Sequence, residues 1–236
     1  MLDELDVMVT QYVNGFARQW PAFDLLVLDV MQLASVKMLP IIACLVWFWF
    51  DGSGDLRRRR AVLDGLLGGL AALMVSRLVQ VLSPHRPRPG LSREFDFVQP
   101  IGGYVNDWSS FPSDTAALAC ALVAAIWTVS RPLGLAGLAW AVVVVSFPRL
   151  YGGFHYVSDL VAGGAIGAAA TLLVARCLPF GDRLLCAAGE LSRRRPSLFY
   201  TCAFVVAFQI ATYFADLREV LSHTLSGVGA LLWPAG

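Results

Sequence analysis

Charge is scarce in this 236-residue chain. Asp, Glu, Lys and Arg make up 15% of it, 57% is hydrophobic, and the mean hydropathy is +0.64. That balance excludes an ordinary soluble domain and points to a polytopic membrane protein. The net charge is only +1, which gives no electrostatic footprint for nucleic acid, and no nucleic-acid partner is expected. No secretory signal is expected either: the first residues include Asp3, Glu4 and Asp6 and show no basic flank followed by a short apolar core. The five cysteines (Cys44, Cys120, Cys177, Cys186, Cys202) have no pairing or metal-ligand spacing. They read as small buried apolar residues, and no metal or other cofactor is expected.

What is present is a series of apolar stretches, read as an all-α membrane bundle. Residues 1–20 alternate apolar and polar positions at helical spacing, as an amphipathic surface helix ended by Trp20-Pro21. Residues 21–215 form the membrane-embedded part, with six spans near 31–50, 61–82, 111–129, 133–147, 156–178 and 197–214. Small residues (Gly65, Gly68, Gly69; Gly163, Gly164, Gly167) suit close helix packing in the second and fifth spans. Residues 179–196 read as a loop, and 216–236 as a tail that forms a second surface helix or a loose end. His223, in that tail, has no visible partners. Arg57–Arg60, Arg131, Arg176, Arg183 and Arg193–Arg195 all fall on one side of this layout, which the positive-inside rule makes cytoplasmic. The long polar connection 83–110 and the 149–155 turn then share the opposite, external side. A multi-pass protein of the cytoplasmic (inner) membrane is expected.

Three segments on that side carry chemistry. The first is Arg149-Leu-Tyr-Gly-Gly-Phe-His155-Tyr-Val-Ser-Asp159. His155 and Asp159, four apart, share a face if a helix starts near them. A carboxylate there fixes the tautomer of an imidazole that attacks or accepts a proton. Arg149, across a Gly-Gly turn, suits a phosphate group. The second is Ser83-Pro-His85-Arg86-Pro-Arg88-Pro89, where a stiff backbone holds two guanidiniums; Arg77 adds a third cation. The third is Ser109-Ser110-Phe111-Pro112-Ser113-Asp114-Thr115, a helix start with Ser109 or Ser110 as cap and Ser113 in the first turn, where N–H groups bind an anion.

Together, and in the chain order of arginine loop, Pro-Ser helix start and Arg149–Asp159 segment, they resemble the type 2 phosphatidic acid phosphatase family of membrane enzymes, over about Arg77 to Asp159. The resemblance implies that His155 is the nucleophile that takes the phosphoryl group as a phosphohistidine, with Asp159 its orienting partner. Arg88, Arg149 and Ser113, with Arg86, Arg77 and Asp114 beside them, would form the phosphate cradle, with no metal. The substrate would be a lipid phosphate or, in preference, a polyprenyl diphosphate drawn from among the membrane lipids. Two positions depart from the family pattern. Val81 stands where a lysine usually precedes Arg88. Thr115 stands where a histidine usually protonates the leaving oxygen, help worth about 10²–10⁴ in rate. Three readings of Thr115 stand side by side: a leaving group that needs no proton; another acid, His85 or Asp114; or lost activity, by divergence or by an introduced substitution. Alternatives to hydrolysis are a lipid phosphotransferase and a non-catalytic lipid-phosphate binder.

Overall fold

The computed structural model describes residues 2–51, 55–92, 96–103, 105, 109–177 and 181–212. The 216–236 tail with His223, and the end of the sixth expected span, lie outside the described residues. In chain order the helices are α1 (Leu2–Asn14), α2 (Pro21–Gln32), α3 (Ala34–Phe50), α4 (Leu56–Leu82) and α5 (Asp114–Val129). Then come α6 (Arg131–Trp140), which runs through a π-helical stretch (Ala141–Ser146) into α7 (Phe147–Tyr151), and α8 (Val157–Cys177), α9 (Gly181–Arg194) and α10 (Pro196–Ala211). No strand occurs among the described residues.

The boundaries have local causes. α1 stops at Asn14, short of the expected 20, and Pro21 instead opens α2, where its missing N–H costs nothing. The expected first span is a pair of helices, α2 and α3, bent by 49°, with Leu33 between them in extended conformation. α4 begins five residues before the expected 61 because Asp55 caps it, its side chain accepting from the Arg57 N–H. The expected loop 179–196 is mostly α9: its charges mask an apolar stripe from which Ala188 and Leu191 face α3, α4 and α10.

α4, α5 and α8 form the centre, and glycines set their spacing. A Cβ on Gly68 would lie 2.2 Å from the Thr171 hydroxyl, and one on Gly167 would lie 2.0 Å from the Ala117 carbonyl oxygen. Backbones therefore meet where side chains would hold them apart. α5 is almost wholly buried between its neighbours, whereas α4 and α8 keep exposed apolar faces (Leu70, Met74, Leu78; Val161, Leu172, Leu173). α4, the Arg131–Tyr151 helix and α8 are long and apolar enough to cross a membrane, and the bent pair α2–α3 makes a fourth. α5 and α10 are apolar but have 16 residues each, about 24 Å against a core of about 30 Å. The basic residues gather at one end: Arg57 donates to the Thr128 carbonyl at the end of α5, and Arg60 pairs with Asp182 at 2.7 Å.

Candidate active site

The other end of the bundle collects the C-termini of α4 and α7 and the N-termini of α5 and α8. Tyr151 ends α7, and Phe154 N–H donates back to the Arg149 carbonyl at 2.9 Å. That fold brings the Arg149 charge to bear on the imidazole of His155. Gly153 makes it possible: its φ is +74°, and a Cβ there would lie 2.6 Å from the Phe97 ring. Its carbonyl accepts from Gly90 N–H at 2.9 Å, so the arginine loop is stitched to the histidine turn.

α8 starts at Val157, and Asp159 in its first turn reaches back to accept from Tyr156 N–H at 2.8 Å. The other oxygen of Asp159 takes Arg86 at 2.5 Å. With both oxygens engaged, Asp159 is not the nearest partner of the imidazole. His155 Nδ1 lies 2.8 Å from the Ser110 carbonyl oxygen and 3.7 Å from Asp159 Oδ2. Nδ1–H therefore donates to the carbonyl, and Nε2 keeps its lone pair. His155 is 2% exposed. Burial, then the Arg149 and Arg88 charges, depress its pKa below the usual value against the pull of Asp159. The ring is therefore neutral at pH 7.

Ser113 is itself the cap of α5, the role expected of Ser109 or Ser110: its Oγ accepts from Ala116 N–H at 3.5 Å. Its own N–H donates to the Asp159 carbonyl at 3.0 Å. α8 can come this close because Gly163 has no side chain; a Cβ there would sit 2.2 Å from the Ser113 carbonyl oxygen. Ser110 N–H donates to the Arg86 carbonyl at 2.9 Å. Ser110 thus joins the arginine loop to the imidazole.

The cations divide into two groups. Arg88 lies 5.2 Å over the Phe154 ring. Burial, then the like charges of Arg149 and Arg77, push its pKa down to about 10 against the pull of Asp114, so it remains cationic at neutral pH. Arg77 holds Asp114 at 2.8 Å and is one turn before Val81 on the same face of α4. This group, Arg77, Arg88 and Arg149, offers an anion a strongly positive setting. Arg86 is turned elsewhere: it donates to Asp159, to Ser158 Oγ at 2.8 Å and to Asp6 at 2.8 Å, over the Tyr156 ring. Thr115 is fully buried and donates its hydroxyl to Asp114 at 3.2 Å. His85 is exposed on the loop. Among the described residues no three His, Cys, Asp or Glu side chains gather as a metal-binding group.

Three participants were given no such role by the sequence: Asp6, outside the motifs, and Ser158 and the Ser110 carbonyl, inside them. Asp6 is 152 residues from Ser158, and no local spacing signals that contact.

A sequence model of the PAP2 superfamily matches residues 65–182. No curated protein matches the chain. Among solved structures the chain is similar to LpxE of Aquifex aeolicus, with a TM-score of 0.57 and 19% identity, over 73% of this chain and 95% of that one. At that identity the likeness is one of fold.

Proposed function

The chain belongs to the PAP2 superfamily, family and fold together support a membrane lipid phosphatase, and from that premise we propose that it cleaves the diphosphate of a polyprenyl-type lipid through a phosphohistidine. The observation that carries the reading is the imidazole of His155, neutral and buried, with Nδ1 held by the Ser110 carbonyl at 2.8 Å and two arginines acting on it. Nε2 attacks phosphorus, the bond to the leaving oxygen breaks, and water later takes the phosphoryl group from the ring. Arg88 and Arg149 bind the equatorial oxygens, with Arg77 behind them. Arg77 stands in for the absent lysine at 81 from one turn earlier.

The leaving group follows from the neighbours of Thr115. Its hydroxyl is not an acid near neutral pH. Asp114 is held by Arg77 at 2.8 Å and accepts from the Thr115 hydroxyl, so its carboxylate is already engaged. His85 is exposed. A phosphate ester would have to expel an alkoxide unaided, whereas a diphosphate expels a phosphate whose second pKa is about 6. The diphosphate is the substrate such a site can serve.

The remaining features fit an amphiphile. An apolar groove of about 660 Å³ runs between α5, the Arg131–Tyr151 helix and α8, from Leu150 and Val157 beside the site toward Trp127 and Leu172. We read it as the berth of the lipid chain. We count six crossings, with α5 and α10 included. The bent segment before Ser113 adds to the shorter path of α5. α1 lies in the interface plane, and the positive-inside rule puts the site on the external face.

The test is phosphate release from a panel of lipid mono- and diphosphates by the full-length protein beside His155→Ala. Release from diphosphates, lost in the variant, is expected; release that survives His155→Ala refutes the nucleophile.

A further inference from the structure

The acid that grips the arginine of the second segment comes from outside the family match. α1 precedes residue 65, where that match begins. Asp6, Thr10 and Asn14 lie along one face of α1 and are 4%, 1% and 5% exposed. The other side shows Leu5, Met8 and Tyr12, at 49%, 58% and 71%, with Glu4 and Gln11 exposed among them. The helix therefore turns the Asp6–Thr10–Asn14 stripe inward and a mixed, mainly apolar side out, an orientation suited to a membrane surface. Asn14 fixes it by exchanging two 2.8 Å hydrogen bonds with the backbone of Val98.

Asp6 Oδ1 accepts from Ser158 N–H at 2.9 Å. Oδ2 accepts from Arg86 Nη2 at 2.8 Å and from the Ser158 hydroxyl. The opposite edge of the same guanidinium, Nη1, serves Asp159 at 2.5 Å. One cation is thus shared between two buried carboxylates. A helix cap alone does not require this, because Asp159 already reaches back over the first turn of α8. With Asp159 as its only acid, Arg86 would close on it as a two-pronged fork. The fork would compete at Oδ2, which accepts from Tyr156 N–H and lies 3.7 Å from His155 Nδ1.

We propose that Asp6 is a positioning residue of the phosphoryl-transfer centre: it holds one edge of Arg86, keeps that guanidinium off the phosphate, and leaves Oδ2 of Asp159 turned toward His155. This rests on the phosphatase reading above. The helix that lies against the lipid is thereby part of the catalytic framework.

The charges that act on His155 are Asp159 from α8, Arg149 from α7 and Arg88 from the arginine loop. Arg86 and Asp6 stand behind Asp159, and Arg77 with Asp114 stands beside Arg88. Asp6→Asn keeps the size of the side chain and an acceptor for Ser158 N–H while it removes one negative charge. Its effect on His155 is then a lower titration midpoint, by about half a pH unit. Arg86→Gln removes a positive charge and moves the midpoint up.

The experiment uses the full-length protein in lipid nanodiscs with two readouts. The first is kcat and KM for farnesyl diphosphate; Asp6→Asn is expected to lower kcat about tenfold with KM within about twofold. The second is the His155 midpoint, read by nitrogen NMR of the imidazole in a His85→Gln, His223→Gln background. It needs no turnover, so it decides the role of Asp6 even if the wild type releases no phosphate, a result that would sink the phosphatase reading alone. An unmoved midpoint in Asp6→Asn overturns the proposal. If that variant does not fold, Arg86→Gln decides: a midpoint that fails to rise overturns it equally.

Discussion

Gly163→Ala puts the geometry of the centre to a direct test. A Cβ at this position would lie 2.2 Å from the Ser113 carbonyl oxygen, 3.1 Å from the Ser113 carbonyl carbon and 3.3 Å from its nitrogen. All three are backbone atoms, so no side chain can swing aside. Reaching ordinary contact requires α8 and the start of α5 to part by about 1 Å, and overpacking of this kind costs about 1–3 kcal/mol. The same movement stretches the Ser113 N–H to Asp159 carbonyl bond of 3.0 Å, which ties the two helix starts together. A displacement of about 1 Å at a reacting centre lowers the rate about 10²-fold. The assay is kcat for a lipid diphosphate, with thermal unfolding of the same preparation. Gly189→Ala, whose added Cβ meets nothing within 4 Å, is the control and should match the wild type in both. A Gly163→Ala enzyme with kcat within about twofold of the wild type would show that the α5–α8 contact does not set the site, and would refute the reasoning.

Further expectations follow from the site. Thr115→His should raise turnover of lipid monophosphates by about 10²–10⁴ and that of diphosphates far less; equal gains on both would contradict the leaving-group argument. Because burial and two arginines depress the His155 pKa, the nucleophile stays neutral as pH falls and is lost only below its ordinary value. The acid limb of kcat/KM should therefore have its midpoint below about 6.5, the unperturbed value for histidine; a midpoint above that would remove the electrostatic account. Ser113→Ala should cost about 1 kcal/mol through loss of the α5 cap, measured by thermal unfolding, and an unchanged stability would deny the capping role. Arg149→Lys keeps the charge but loses the planar fork, and should lower kcat/KM for the diphosphate at least about tenfold; full activity would argue against an oxygen-binding role.

Much of the site was legible because its parts are local. The 149–159 segment brings arginine, histidine and carboxylate together within eleven residues, and one turn plus one helix start places them. The glycine stripes of α4 and α8 were legible too, since a glycine-lined helix face has few uses besides close approach. α9 was not: Asp182, Arg183, Glu190 and the three arginines at 193–195 look like a loop until α4 and α10 supply a surface for Ala188 and Leu191. The partner of His155 Nδ1 was missed for a related reason. It is a backbone carbonyl 45 residues away, and carbonyls leave no trace in side-chain spacing.

Composition and spacing alone determined that this is a helical membrane protein, and they picked out the short motifs that meet at one end of the bundle. Hydropathy, helix starts and a short motif are properties of neighbouring residues, so the chain carries them before it folds. Which arginine is held by carboxylates and which lies among other cations was decided only by tertiary packing. Arg86 and Arg88 are two residues apart on the same stiff loop and differ in what folds over them: Asp6 and Asp159 enclose the first, and the cations Arg77 and Arg149 surround the second. The charge of Arg86 is compensated by carboxylates from helices distant in the chain, which local spacing does not reveal.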